Sequence, residues 1–336
     1  MLKTETRVLV TGASGFIGAN LVQRLAREGY PVRVLLRKTA HHPFLATAPV
    51  ERVDGDITDI GSVQTALAGC RYVFHAAAHI SFNRSDRPRL YRTNVEGTRI
   101  ILEGALRSGI RRFIHVSACA VFGSLDKKDA VLDETSPAAV SEDNVYAYSK
   151  RLAEEEVMRS CDQGLDCVIA NPCTVYGQGD KTLNSGSLIK AVYSGRLRFM
   201  PPGGTSYVSV DDAVEGLILL MEKGRMKERY ILCAENLTYK DLCRRIASAL
   251  GVQEPRSTLP AFLSGPSVLG VSILESLLGV FNIRPSFLSS QIVSELFRYK
   301  YFSPEKSKRE LGWSPRVSLE ESVRRAFDFY RAEGLV

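Results

Sequence analysis

Along the first 176 residues, short runs of β-branched and other apolar residues alternate with stretches in which apolar positions recur at helical spacing. Arg7–Thr11 (RVLVT), Val32–Leu36 (VRVLL), Val50–Val53, Arg71–His75 (RYVFH), Arg112–Ser117 (RFIHVS) and Asp166–Ala170 (DCVIA) read as strands. Phe16–Glu28, closed by Gly29, reads as a helix, as do Arg89–Ser108, closed by Gly109, and Val145–Ser160. Strands that alternate with helices require a parallel sheet covered on both faces. The expectation is an α/β chain with a doubly wound (Rossmann) sheet.

Beyond Pro172 the rhythm breaks. Gly177, Gly179, Gly186, Gly195, Pro201, Pro202, Gly203 and Gly204 punctuate shorter elements, as expected of a smaller C-terminal α+β lobe supplying substrate contacts. Tyr207–Val210 with the helical stretch Asp211–Glu222 reads as a return to the sheet. The division expected is therefore 1–176 plus 205–225 for the Rossmann domain and 177–204 plus 226–336 for the substrate lobe. Leu259–Ile283 carries Glu275 as its one charge but is interrupted by Pro260, Gly265, Pro266 and serines. It reads as a cap over an apolar pocket, with peripheral membrane contact through 259–283 as the second reading.

Composition narrows the class. Over 336 residues, 45 % hydrophobic and 24 % charged positions exclude a disordered chain, a collagen repeat and a coiled coil. The +7 net charge is mild and comes with no dense basic run, so a nucleic-acid groove is not expected. Seven cysteines without a CxxC pair read as reduced thiols of a cytoplasmic protein. The first residues, Met1–Thr6, show no signal-peptide core.

Two patterns carry chemistry. Thr11-Gly12-Ala13-Ser14-Gly15-Phe16-Ile17-Gly18 lies between the first strand and first helix, where a dinucleotide-binding turn belongs. Gly12 permits the tight turn, Gly15 lets backbone approach a pyrophosphate at the helix N-terminus, and Gly18 lets the helix pack against the sheet. An acidic residue ending the second strand would bind the ribose hydroxyls of NAD, whereas this chain has Arg37-Lys38, which favours the extra phosphate of NADP(H). Asp56 and Ile57, after Gly55, would edge the adenine pocket. The second pattern is Tyr146-Ala147-Tyr148-Ser149-Lys150, which puts Tyr146 and Lys150 on one helix face. An ammonium beside a phenol lowers its pKa, fitting Tyr146 as acid/base and Lys150 as its activator and a holder of ribose.

With these motifs in view, the chain resembles the extended short-chain dehydrogenase/reductase family. The resemblance runs through TGASGFIG, GDI (55–57), HAAA (75–78), NVEGT (94–98), YAYSK (146–150), NPCTVYG (171–177), YVSVDDA (207–213), ERYIL (228–232) and SKRELGWSP (307–315). It is similar within the family to dihydroflavonol-reductase-like, 3β-hydroxysteroid-dehydrogenase-like and hopanoid-associated epimerase-like members. The resemblance implies that Ala76, Ala77 and Ala78 lie beside the pyrophosphate and ribose and that Asn94 steadies the sheet near the active site. It also implies that Pro172 and Thr174 belong to the cofactor site and that the protein is a homodimer.

Two departures from the family pattern matter. Its Ser or Thr, five residues before the glycine of the turn, falls on Ala118 when counted from Gly123. Ser117, one place early, is the provisional oxyanion helper, with Thr174 as another substitute. Strand alternation turns Ser117 to the opposite face unless the strand end kinks. The arginine with which nucleotide-sugar epimerases grip a diphosphate is replaced by Thr205 and Ser206, leaving Arg284 or Arg298 to serve. The expectation is an NADP(H)-dependent oxidoreductase acting on a small, lipophilic ketone, aldehyde or secondary alcohol. The alternatives are a nucleotide-sugar epimerase/dehydratase with tightly held NAD(H), or a catalytically weak cofactor-binding scaffold. No metal site is expected. His41 and His42 read as loop residues near the adenosine phosphate, and Trp313 as packing.

Overall fold

The computed structural model describes residues 6–137, 140–197, 199–260, 266–267 and 290–336, with backbone alone at 290–292. Most of the segment 259–283, and Arg284 with it, lies outside the described residues. Among those described, no helix is long and apolar enough to cross a membrane.

The strands in chain order are β1 (Val8–Thr11), β2 (Val32–Leu36), β3 (Val50–Asp54), β4 (Tyr72–His75), β5 (Arg112–Val116) and β6 (Cys167–Pro172). They continue as β7 (Thr174–Tyr176), β8 (Phe199–Met200), β9 (Gly204–Ser209), β10 (Arg229–Leu232), β11 (Glu235–Thr238) and β12 (Ser257–Thr258). Seven form the central sheet in the order β10-β6-β5-β4-β1-β2-β3, every pair parallel. The doubly wound expectation is met, and the order reverses beside β1, where such sheets open a crevice at their C-terminal edge.

Both faces of the sheet are apolar because both are covered. Val8, Val10, Val34, Phe74, Ile114 and Val168 pack toward α1 (Phe16–Arg27) and the helix Val210–Lys223. The intervening Leu9, Leu35, Val73, Phe113 and Ile169 pack toward Ile60–Leu67, Gly97–Arg107 and Val145–Asp162. Val145–Asp162 carries Tyr146 and Lys150 and is the candidate catalytic helix. The long helix expected over 89–108 is broken: Arg87–Leu90 is α-helical, Tyr91–Glu96 is a π turn, and Gly97–Arg107 resumes the α-helix. Such single-turn bulges re-aim side chains and gather at functional sites.

The expected return of Tyr207–Val210 to the central sheet is corrected. β9 lies in a separate three-stranded sheet, parallel to β7 and antiparallel to β11. The returning strand is β10, which the sequence reading assigns to the substrate lobe, and it pairs with β6 from Arg229↔Ile169 to Leu232↔Pro172. The reason is local. β6 and β7 are separated by Cys173 alone, so the chain leaves one sheet and enters the other at that residue, and β9 follows β7. Trp313 is packing, as expected: it is fully buried, and its indole N–H donates to the Asp212 carbonyl at 2.9 Å.

Candidate functional site

Because the central strands are parallel, residues following them collect on one edge. The turn after β1 is built on glycine. Gly12 has φ +70°, and a Cβ there would lie 2.5 Å from the Ala76 and Ala77 backbone. A Cβ on Gly18 would lie 2.2 Å from the Gly12 carbonyl oxygen. Gly15 N–H donates to that same carbonyl at 2.9 Å, and α1 starts there with no side-chain cap and no acidic residue in its first turn. Its first N–H groups and dipole thus face outward without a side-chain competitor, as a pyrophosphate requires. Ser14, Gly15, Phe16 and Ile17 reach the surface of this cradle. The residues present fit a dinucleotide.

The other expected binding residues line the same edge. Arg37 and Lys38 are exposed just past β2 and form no ion pair among the described residues. Ile57 is buried, and the Asp56 carboxylate accepts from Thr58 N–H and Oγ1–H at 2.9 and 2.8 Å. Ala76 and Ala77 abut Gly12, and the Ala77 N–H donates to Thr11 Oγ1 at 3.4 Å. Pro172 is buried at the end of β6, and Thr174 Oγ1 lies 3.2 Å from Thr205 Oγ1. Histidine 42 departs from expectation. It is buried, with Nε2 2.9 Å from the Gly179 carbonyl and its ring stacked on Phe329.

The helix Val145–Asp162 follows β5 and returns toward β6, so its N-terminus sits at the C-terminal edge of the sheet, capped by Asn144 Oδ1 accepting from Ala147 N–H. Tyr146 is half-buried there, edge-on to Phe82 at 5.8 Å between ring centroids. One turn on, Lys150 is 3 % exposed and donates to the Val116 carbonyl at 2.7 Å. The expected lowering of the phenol pKa by Lys150 is corrected: burial pushes the Tyr146 phenol up to about 12. The ammonium is held instead by a backbone carbonyl, and low polarity penalises the phenolate. Burial also brings Lys150 down to about 8, opposed by the Glu154 charge.

That position yields a pH prediction. If the ammonium form of Lys150 is required, turnover falls as pH rises through about 8, and a kcat/KM profile flat across that region excludes the requirement. The folded-state pKa lies below the ordinary value of 10.5, so between about 8 and 10.5 the unfolded chain binds more protons than the folded one. Lys150 therefore contributes stability that rises with pH across that window, which denaturation at several pH values measures.

Ser117 is a further correction. It is 5 % exposed, and its hydroxyl is turned inward toward Glu154, away from the edge. β5 keeps its alternation to its end, so Ala118 is the partly exposed neighbour. An oxyanion donor at Ser117 would require the strand end to rotate. The arginine position of the epimerases is likewise occupied from within. Ser206 donates to the Lys300 carbonyl at 2.5 Å and lies 2.7 Å from Asn236 Oδ1. Arg298 pairs with Asp126 at 3.0 Å.

A chain of hydrogen bonds that the sequence alone does not reveal joins the cradle to the helix Val145–Asp162. Thr98 Oγ1–H donates to the Asn94 carbonyl, so it accepts from His75 Nε2–H at 3.0 Å. This leaves His75 Nδ1 to accept from Thr11 Oγ1–H at 2.8 Å. Burial lowers the His75 pKa to about 3, keeping this neutral tautomer. From the π turn, Asn94 Nδ2 donates to Ser149 Oγ at 2.9 Å, and Ser149 donates to the Tyr146 carbonyl at 2.7 Å. The histidine ending a strand and the NVEGT motif were the available signals, but their pairing depends on the π turn.

Comparison with known proteins agrees with this geometry. Residues 8–233 match the NAD dependent epimerase/dehydratase family. The chain is 32 % identical to a putative dihydroflavonol 4-reductase of Synechocystis, over 97 % of this chain and 95 % of that one. It is 29 % identical to a 3-beta-hydroxysteroid dehydrogenase of Mycolicibacterium neoaurum, over 98 % and 93 %. The crystal structure of DesIV, a dTDP-glucose 4,6-dehydratase from Streptomyces venezuelae with NAD and TYD bound, superposes with a TM-score of 0.77 at 26 % identity, over 97 % of each chain. With the family match, these relatives and the seven-stranded parallel sheet in agreement, the chain belongs to the NAD-dependent epimerase/dehydratase family and is an NAD(P)-dependent enzyme of the extended short-chain dehydrogenase/reductase type.

Proposed function

We propose that this chain is an NADP(H)-dependent oxidoreductase that interconverts a lipophilic ketone or aldehyde and its alcohol. The observation carrying this reading is the placement of Tyr146 at the mouth of the edge, with Lys150 buried one turn behind it and the glycine cradle across from it. The nicotinamide supplies or accepts the hydride. Tyr146 Oη–H donates its proton to the carbonyl oxygen in reduction and receives it back in oxidation. A phenol held well above neutral pH is in the protonated form that reduction needs. Lys150 contributes a fixed positive charge for the ribose hydroxyls and the developing oxyanion.

The cofactor preference rests on Arg37 and Lys38, exposed where an acidic residue would favour NAD. A charge-assisted phosphate contact is worth ~1.5–3 kcal/mol, so Arg37→Ser is expected to weaken NADPH about 10- to 100-fold and leave NADH nearly unchanged. Fluorescence titration of both nucleotides checks this, and equal losses would remove Arg37 from phosphate recognition.

The apolar substrate rests on Ile80 and Phe82, which are 41 % and 43 % exposed on the loop beside Tyr146. The internal engagement of Ser206 also leaves no cationic clamp at that position. Relatives named for a dihydroflavonol and a 3-beta-hydroxysteroid agree with an apolar ring substrate. A screen of ketones and sugar nucleotides followed by NADPH absorbance tests the reading. Consumption of NADPH with a ketone supports it. Conversion of a sugar nucleotide without net absorbance change supports the family's internal-recycling chemistry in its place.

A further inference from the structure

Behind Lys150 lies a group of buried polar side chains that the reaction above does not use. Tyr146, Lys150 and Glu154 follow one another at four-residue spacing along one face of the catalytic helix. Glu154 is 0 % exposed. Its Oε1 accepts from Asn171 Nδ2 at 2.7 Å, and its Oε2 lies 3.0 Å from Arg229 Nε of the edge strand β10. The same Asn171 Nδ2 donates to the Ala118 carbonyl at 3.2 Å, tying this group to the strand end beside the site.

His115 and Ser117 share the face of β5 that looks toward the catalytic helix, since Phe113 on that alternation packs with Val157. Both ring nitrogens of His115 and Asn171 Oδ1 are enclosed and have no hydrogen-bond partner among the described residues, and Ser117 Oγ, though turned toward Glu154, makes no hydrogen bond of good geometry there. Groups of this kind are ordinarily satisfied by ordered water. Here they offer both donors and acceptors, since a neutral imidazole has one of each, the hydroxyl is both and the amide oxygen accepts.

We propose that Glu154 is a positioning residue for the Lys150 ammonium, acting across a buried hydration site walled by His115, Ser117 and Asn171. Burial raises the Glu154 pKa, and the Arg229 guanidinium, the Asn171 amide and the Lys150 ammonium oppose that rise. As a carboxylate, Glu154 holds the ammonium charged from behind while the Val116 carbonyl fixes its direction. The charged and titratable groups facing Glu154 are Lys150 on its own helix, Arg229 from β10 and the Cys119 thiol. Those facing Lys150 from the sheet are His75 and His115, both held neutral by burial. Glu154 is thus the one anion acting on Lys150 among the described residues.

The inference rests on Lys150 being the ammonium of the proposed reaction, but its test needs neither substrate nor cofactor. The Lys150 ammonium is titrated by ¹⁵N NMR in the wild type and in Glu154→Gln. Loss of a facing anion is expected to lower its proton affinity roughly tenfold or more, and Glu154→Asp, which keeps the charge, is expected to restore it. An unchanged titration in the glutamine variant overturns the proposal. A high-resolution crystal structure of the wild type provides the second arm, which stands even if Glu154→Gln does not fold. Ordered water bonded to Ser117 Oγ and the His115 ring is expected, and a dry, closed space there overturns the hydration site. Both readouts are separable from the oxidoreductase reading, which a failed substrate screen would remove without moving either.

Discussion

Tyr146→Phe is expected to lower turnover by roughly 10²–10⁴-fold while leaving NADPH affinity nearly unchanged. The phenylalanine ring fills the same half-buried place beside Phe82, so the wall of the site survives and the proton donor alone is lost. Among the described residues, the Tyr146 hydroxyl makes no hydrogen bond on which the fold depends. Its backbone carbonyl, which phenylalanine keeps, receives the Ser149 hydroxyl. Steady-state kinetics with a ketone found in the screen, paired with NADPH fluorescence titration, separate the outcomes. Retained turnover would take Tyr146 out of the mechanism. A parallel loss of nucleotide affinity would make it a binding residue.

The second large effect concerns the cradle. Gly18→Ala would put a methyl group 2.2 Å from the Gly12 carbonyl oxygen, against backbone that no rotamer change can relieve. The turn must open, and α1 must move away from β1, so the N–H groups at its start lose their aim. Hydrogen bonds to a charged group are worth ~1.5–3 kcal/mol each, and losing more than one lowers dinucleotide affinity on the order of 10²-fold or beyond. Titration of the variant measures this, and a circular-dichroism melt shows whether the fold persists. Unimpaired binding in a folded Gly18→Ala protein would place the pyrophosphate elsewhere.

The two experiments probe parts of the site whose legibility differed. The cradle was readable because its requirements are local: a positive φ, a close backbone approach and a helix N-terminus all fall within Gly12–Gly18. The Tyr146–Lys150 spacing was readable for the same reason, since helical periodicity alone puts them on one face. Ser117 was harder, because its usefulness turned on whether β5 kinks at its last residue. The strand keeps its alternation, and the hydroxyl faces Glu154. The phenol's pKa went the opposite way from expectation because proximity in sequence says nothing about solvent. Burial of the phenol, not the Lys150 charge, sets the direction.

Strand and helix periods, turn glycines and motif spacing are short-range properties, so the alternating α/β order, the glycine cradle and the Tyr146–Lys150 pairing on one helix face were all present in the linear order of residues. Three features were not: which sheet receives β9 and which receives β10, how Thr11, His75, Thr98, Asn94 and Ser149 join in one hydrogen-bonded path, and the enclosure of Glu154 behind Lys150. Each depends on residues tens of positions apart meeting away from bulk solvent, and pairing, desolvation and charge balance there are set by packing.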